Sequence, residues 1–198
     1  MNRSEWVDAD TWRDPDCIEC GGDGAPCCEP PDGPPPTSAA KVIEHDTLRY
    51  LRARYGARHG NGDRWAFATH VRSAAGFDAT RTADAVAMDL WPSKGLALHG
   101  HEVKVSRSDW LRELQKPDKW QPVGRYMDRW WVVVPDAAIV RPGELPPEWG
   151  LIVATSGATR ITKQAPKLDA KPVTRTFLAA LLRAAARTAR VDALAVQR

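Results

Sequence analysis

No run of apolar residues in this chain approaches the roughly 20 that a membrane span needs, which excludes the membrane as a partner. The opening residues, MNRSEWVDADTW, hold no apolar stretch of the kind a secretory leader requires. The expected location is therefore cytoplasmic, with thiols kept reduced. Cysteine is absent after Cys28: all four, Cys17, Cys20, Cys27 and Cys28, fall within the first 40 residues. No paired histidines accompany them. Phe and Tyr number three each, against nine Trp, which is many for this length. No segment repeats.

A length of 198 residues with 43% hydrophobic content fits one ordinary globular domain and a tail. The formal net charge of +3 hides a division. Residues 1–40 carry Arg3 and Arg13 against nine acids, a net −7, which leaves 26 Lys+Arg against 16 Asp+Glu, a net +10, for residues 41–198. A basic body with an acidic arm implies a polyanion partner for which the arm competes; a solvated surface with an acidic tail accounts for the same numbers.

The arm, residues 1–40, is rich in Pro, Gly and Asp, and PPDGPPP holds neither a helix nor an inner strand. Cys17-Ile-Glu-Cys20 has the spacing of half a zinc site, but adjacent Cys27 and Cys28 make a poor second half. A Zn²⁺ knuckle and a tail with free thiols both stand. The remainder, 41–198, reads as one domain. Ser38 to Tyr55 is helical in pattern, with Val42, Leu48, Leu51 and Tyr55 near one stripe. Residues 58–63 form a loop, and Asp63 is placed to cap a second helix, Trp65 to Ala75. Two β-runs follow, Ala83–Trp91 and Leu96–Val105, joined by Pro92-Ser93-Lys94-Gly95. Both carry apolar residues on both faces, as inner strands do. Ser108 is the expected N-cap of a helix over Asp109–Gln115, and Pro117 opens a further helical piece toward Tyr126. Arg129–Pro135 is a buried strand, Gly150–Thr155 and Thr159–Lys163 a hairpin around Ser156-Gly157, and Thr174–Val191 a helix with Phe177, Leu178, Leu181, Leu182 and Ala185 on one side. The predicted fold class is α/β with a mixed central sheet flanked by helices.

The chemistry concentrates between Arg81 and Asp109. Residues 84, 86 and 88 share one face of the first β-run, and 100, 102 and 104 share one face of the second. Pairing Trp91 with Ala97 sets Asp84 opposite Lys104; pairing Leu90 with Leu96 sets it opposite Glu102. Either even register brings Asp84, Glu102 and Lys104 onto one face within cross-strand reach. Two carboxylates and the backbone carbonyl of Val103 are oxygen ligands suited to Mg²⁺ or Mn²⁺, which keep waters and take substrate phosphate. Lys104 then orients water or stabilises the charge of a pentavalent phosphate. A structural cross-strand ion pair, worth about 0.2–1 kcal/mol, explains the charge types equally well. What separates the two is burial: charges in strands that read as buried are costly without a purpose.

Arg81-Thr-Ala-Asp84-Ala, HisGlyHisGlu102-Val-Lys104-Val-Ser-Arg-Ser-Asp109-Trp and Asp128-Arg-Trp-Trp-Val-Val-Val-Pro135 together resemble the PD-(D/E)XK nuclease superfamily, and more narrowly MmcB-like DNA repair proteins and small phage-encoded relatives, over roughly residues 45–168. The resemblance implies a restriction-endonuclease-like fold, a Mg²⁺ or Mn²⁺ site at Asp84 and Glu102, Lys104 as catalytic lysine, and action on DNA inside a bacterial or phage-infected cell. Two departures stand out. Ala83 replaces the proline of the superfamily's name. Members commonly place a further acid on the first core helix, and Trp65–Ala75 offers only Thr69 and His70, with Glu44 and Asp46 as substitutes.

The resulting reading is a metal-dependent DNA nuclease or repair enzyme. The alternative is an inactive or weak nuclease-fold accessory factor that binds DNA, and a third is an adaptor built on a zinc-bearing arm. Arg81 and Arg107 flank the site as phosphate contacts. Lys116 and Lys119 can follow a DNA backbone or line a solvated helix face. Ser106 and Ser108 contact phosphate or cap a helix. His99, His101 and Asp89 lie on the opposite strand face and are expected to be structural. Trp130 and Trp131 are core, as are Trp110 and Trp120 in preference to base stacking. The C-terminal helix, with Arg183, Arg187 and Arg190, is a packing element, a homodimer contact or a basic clamp.

Overall fold

The apolar run Arg129–Val134 lies in the middle of a six-stranded sheet, where both of its faces are covered. Trp130, Val132 and Val134 enter one core cluster; Trp131 and Val133 enter another. The computed structural model describes residues 38–56, 64–116, 118–155 and 158–196. Residues 1–37 of the arm with all four cysteines, the 58–63 loop with the Asp63 cap, Pro117 and the Ser156-Gly157 turn lie outside the described residues.

Helix α1 (Ser38–Tyr55) precedes three strands, β1 (Trp65–Arg72), β2 (Thr82–Asp89) and β3 (Leu98–Val103). Then come α2 (Arg107–Leu114), the short α3 (Gln121–Gly124), β4 (Arg129–Val134), β5 (Trp149–Thr155), β6 (Ala158–Lys163) and α4 (Arg175–Val196). The strands lie side by side in chain order. The β3–β4 and β4–β5 pairs are parallel and the rest antiparallel, so the sheet is mixed. Helix α1 packs on one face through Leu48, Leu51 and Tyr55, against Ala85, Ala87, Val103 and Trp131. The other face meets Trp110 of α2, Val123 of α3 and Phe177 and Ala184 of α4. Glycines admit the large rings: a Cβ at Gly100 would stand 2.3 Å from the Trp130 indole, and one at Gly150 would stand 2.4 Å from Trp131.

Five expectations are corrected. Trp65–Ala75 is not a helix: Trp65–Arg72 is edge strand β1, paired with β2 from Trp65↔Asp89 to Arg72↔Thr82. Apolar residues at 65, 67, 68 and 71 fit a helical stripe, but aromatic and β-branched Trp65, Phe67, Thr69 and Val71 favour a pleated surface, and pairing decides. Val42, assigned to the buried stripe of α1, is 60% exposed. On α4 the buried line is Phe177, Ala180, Ala184 and Thr188, while Leu178 and Leu182 face outward, because the helix is rotated to bring Thr188 onto the edge of β1. There the Thr69 amide donates to the Thr188 hydroxyl at 3.0 Å, closing an otherwise open strand edge. Finally, α2 is capped by Ser106, not Ser108: its side chain accepts from the Asp109 amide at 3.2 Å, and the helix starts at Arg107. The helical piece before β4 is confined to Gln121–Gly124.

Candidate functional site

The register between β2 and β3 runs through Ala85↔His101 and Val86↔Gly100, the one of the two even registers that brings Asp84 level with Glu102. The ladder ends at Ala85↔His101. Beyond it the Asp84 side chain takes over, its Oδ2 accepting from the Val103 amide at 2.6 Å. A residue's N–H and C=O project to the same side of an extended strand, so the Val103 carbonyl is directed to the same edge as Asp84. The β1–β2 register is interrupted at this level too: every step from residue 65 to 72 pairs except His70, opposite Asp84, where φ is 51°.

Lys104 follows Glu102 on the same face. Its Nζ lies 2.8 Å from Glu102 Oε1 and 2.9 Å from Glu113 Oε2, with Asp109 Oδ1 at 3.9 Å. The lysine side chain is 7% exposed, Glu102 12% and Glu113 3%. Asp109 and Glu113 are four residues apart on α2 and so share the helix face turned to the sheet. Glu44, on the second turn of α1, lies within electrostatic reach of Asp109, Lys104 and Glu102. Three carboxylates, Glu102, Glu113 and Asp109, thus stand on one buried ammonium, with Asp84 and Glu44 within electrostatic reach of it. Lys119, 3.6 Å from Glu113, and Arg112, 3.6 Å from Asp109, stand at the more exposed rim.

The imbalance shows in the protonation equilibria. Burial pushes the Asp84 carboxyl up to about 6, against the pull of Lys104 and the Val103 amide. Burial and the Asp84 charge push Glu102 up to about 8, although Lys104 opposes them. Burial and Asp109 raise Glu44 as well. Burial alone would lower Lys104, but Glu102, Glu113, Asp109 and Asp84 outweigh it and raise it well above the usual lysine range, so it stays an ammonium.

Among the described residues, no three His, Cys, Asp or Glu side chains converge to hold a metal by themselves. A hard divalent cation does not require that. Mg²⁺ takes one or two carboxylates and completes its shell with water and substrate oxygens. Asp84, Glu102 and the Val103 carbonyl suit it.

The flanking residues divide. Arg107 is committed to the fold: its guanidinium meets both oxygens of Glu144 and donates to the Ile139 carbonyl at 2.9 Å. Glu144 also accepts from Trp110 Nε1 at 3.1 Å and the Arg141 amide at 3.0 Å, so the 136–148 connection is clamped onto α2. Ser106 and Ser108 serve the cap, their hydroxyls 3.1 Å apart. Arg81, just before β2, donates to the Thr80 carbonyl at 2.9 Å. Lys116 is exposed beyond the end of α2. Trp110 is fully buried, and Trp120 packs against Trp130 and Trp149.

The opposite face of the same strands holds His99 and His101. Tyr55 and His101 Nε2 are 2.8 Å apart, and His101 Nδ1 is 3.4 Å from the Ala85 carbonyl. A carbonyl only accepts, so Nδ1 carries the proton and the Tyr55 hydroxyl donates to Nε2. Burial lowers His99 to about 4 and His101 to about 3, and both are neutral. Asp89, 2% exposed, is held by Arg64 Nε at 3.0 Å and Nη2 at 2.6 Å, away from the carboxylate cluster.

Glu113 was not singled out by sequence reasoning; the signal available was its four-residue spacing from Asp109 on the helix that follows Lys104. No helix among the described residues is long and apolar enough to cross a membrane. In comparisons with known proteins, no family model and no curated protein matches the chain. A solved structure, a protein of unknown function from Silicibacter pomeroyi, aligns with 80% of this chain and 88% of its own at 23% identity and a TM-score of 0.48.

Proposed function

We propose that the protein is a divalent-metal-dependent DNA nuclease or DNA repair enzyme of the PD-(D/E)XK kind, hydrolysing phosphodiester bonds at Asp84, Glu102 and Lys104. The supporting observation is the gathering of carboxylates on one buried lysine, Glu102 at 2.8 Å, Glu113 at 2.9 Å and Asp109 at 3.9 Å, beside Asp84 at the end of two adjacent strands. Glu44, one of the two substitute acids named from the sequence, stands on α1 within electrostatic reach of Glu102 and Lys104 and would supply the helix acid that Trp65–Ala75 lacks. Asp84 and Glu102 would hold Mg²⁺ or Mn²⁺, with the Val103 carbonyl as a third protein oxygen. When bound, the ion supplies Lewis-acid polarisation of the phosphate and a more acidic water. Lys104, kept protonated by its carboxylate neighbours, offers a fixed positive charge to the developing negative charge at phosphorus. Arg81, Lys116 and Lys119 are the cations suited to the DNA backbone, and the basic balance of residues 41–198 fits a polyanion.

One observation favours a second reading, a nuclease fold that binds DNA as an accessory factor. Glu102, the central ligand, is ion-paired with Lys104 at 2.8 Å. The deciding experiment incubates the full chain with linear, nicked, branched and single-stranded DNA in Mg²⁺ and in Mn²⁺. Cleavage that disappears in Asp84→Ala and Lys104→Ala, with folding retained, supports the enzyme. Absence of cleavage on all four substrates with either metal leaves the accessory reading.

A further inference from the structure

Lys104 has two carboxylate partners at nearly equal distance, one from its own strand and one from α2. The strand partner, Glu102, is also the residue read above as a metal ligand. It cannot give its charge fully to a divalent cation and to the lysine at once. If Glu102 were the only partner, turning it toward a metal would strand a buried ammonium at 7% exposure, and an unpaired buried charge is strongly unfavourable. Glu113 removes that obstacle. It is itself 3% exposed, its Oε2 is within hydrogen-bonding distance of Lys104 Nζ, and Lys119 steadies it at 3.6 Å from the rim. The start of its helix is fixed by the Ser106 cap and by the Arg107–Glu144 clamp.

We propose that Glu113 is a positioning residue for Lys104: it keeps the ammonium in place over the site when Glu102 turns to a divalent cation. Glu113 touches neither metal nor DNA and acts only through the lysine. The inference rests on reading Asp84 and Glu102 as a divalent-cation site.

Two consequences follow from acting through Lys104. Without the Glu113 charge, Lys104 keeps only Glu102 as a close partner, with Asp109 farther off at 3.9 Å, and competes harder with the metal, so metal binding weakens. With Lys104 also gone, there is no ammonium to hold, and the presence of Glu113 ceases to matter.

The test is a double-mutant cycle on the full chain, with Mn²⁺ binding measured by calorimetry for the wild type, Glu113→Gln, Lys104→Met and the double variant. Glu113→Gln is expected to weaken Mn²⁺ binding about tenfold, the scale seen for groups that orient metal-site residues. In the Lys104→Met background the same change should stay within about twofold, the spread of uncoupled sites. Glu113→Asp, which keeps the charge, should recover part of the loss and guards against a mere packing defect. An equal loss in both backgrounds would show Glu113 acting directly on the metal and would overturn the inference. Wild-type protein that binds no Mn²⁺ would overturn it together with the site reading. Mn²⁺ binding with the expected coupling but no DNA cleavage would uphold the inference and sink only the nuclease. Where cleavage is measurable, Glu113→Gln should lower kcat about tenfold with KM for DNA unchanged; a change confined to KM would count against it.

Discussion

Strands β2 and β3 present two buried polar faces made by alternate residues of the same few positions. On one, Asp84, Glu102 and Lys104 meet Asp109 and Glu113; on the other, His99 and His101 meet Tyr55. Both are taken out of water, and the consequences are opposite. The histidine face is neutral, and its hydrogen bonds close internally, from the Tyr55 hydroxyl through the His101 ring to the Ala85 carbonyl. Nothing further is required for it to be stable. The carboxylate face has more negative groups than cations and pushes Asp84 and Glu102 toward protonation. Burial alone therefore does not distinguish the two faces; the balance of charge within each does.

The sharpest way to break this contrast is to compare substitutions on the two faces in the same assays. Asp84→Asn should reduce metal-dependent DNA cleavage by at least about 100-fold, the scale of losing one fixed electrostatic group at a reaction centre, with the melting temperature unchanged or raised. A variant that cleaves normally would remove the carboxylate face from the chemistry. His101→Ala should do the reverse: a loss of about 3 kcal/mol in denaturant unfolding, from a buried cavity and an unsatisfied Tyr55 hydroxyl, with specific activity of the folded fraction retained. If His101→Ala instead abolished cleavage while sparing stability, the division of labour between the faces would be wrong.

How much of this was legible beforehand follows the same division. Period-two alternation alone put Asp84, Glu102 and Lys104 on one face and His99, His101 and Asp89 on the other, and the structure keeps both groupings. Alternation could not choose between the two even registers, since both satisfy it; the position of the ladder, with Ala85 opposite His101, chooses. Glu113 stayed hidden because its importance depends on how α2 lies against the sheet. Spacing from Asp109 says only that the two share a helix face, and that face could have been solvent. The misread strand β1 had the same cause in another form: its apolar residues fit either period, and only the partner strand decides.

Acidity probes both faces in one titration, with opposite signs. His99 and His101 have folded values near 4 and 3, below the unfolded 6.5, so their contribution is present above pH 6.5 and is lost as pH falls toward 4 and 3. Asp84 and Glu102 have folded values near 6 and 8, above their unfolded 3.8 and 4.5. Their contribution is complete below those unfolded values and is lost as pH rises through 6 and 8. Stability of the wild type without divalent metal should therefore decline from pH 6 to pH 9, by on the order of 1–2 kcal/mol. Glu102→Gln should flatten that decline and leave the acid-side loss intact. A decline that survives Glu102→Gln would place its origin elsewhere.

The smallest expected effect tests whether the histidine face is closed. Tyr55→Phe removes one hydroxyl and leaves His101 Nε2 without its donor at 2.8 Å. The ring and its packing against Trp65 and Phe67 remain, so the cost is that of one unsatisfied buried acceptor, about 1–2 kcal/mol in urea unfolding. The acid-side loss should also move to higher pH, because protonating His101 no longer breaks a bond that its neutral form makes. Cleavage and Mn²⁺ affinity should be unchanged, since Tyr55 lies across the sheet from Glu102. A Tyr55→Phe protein with altered Mn²⁺ binding would mean that the two faces communicate through the alternating residues of β3, and that the charge imbalance is felt on both sides of the sheet.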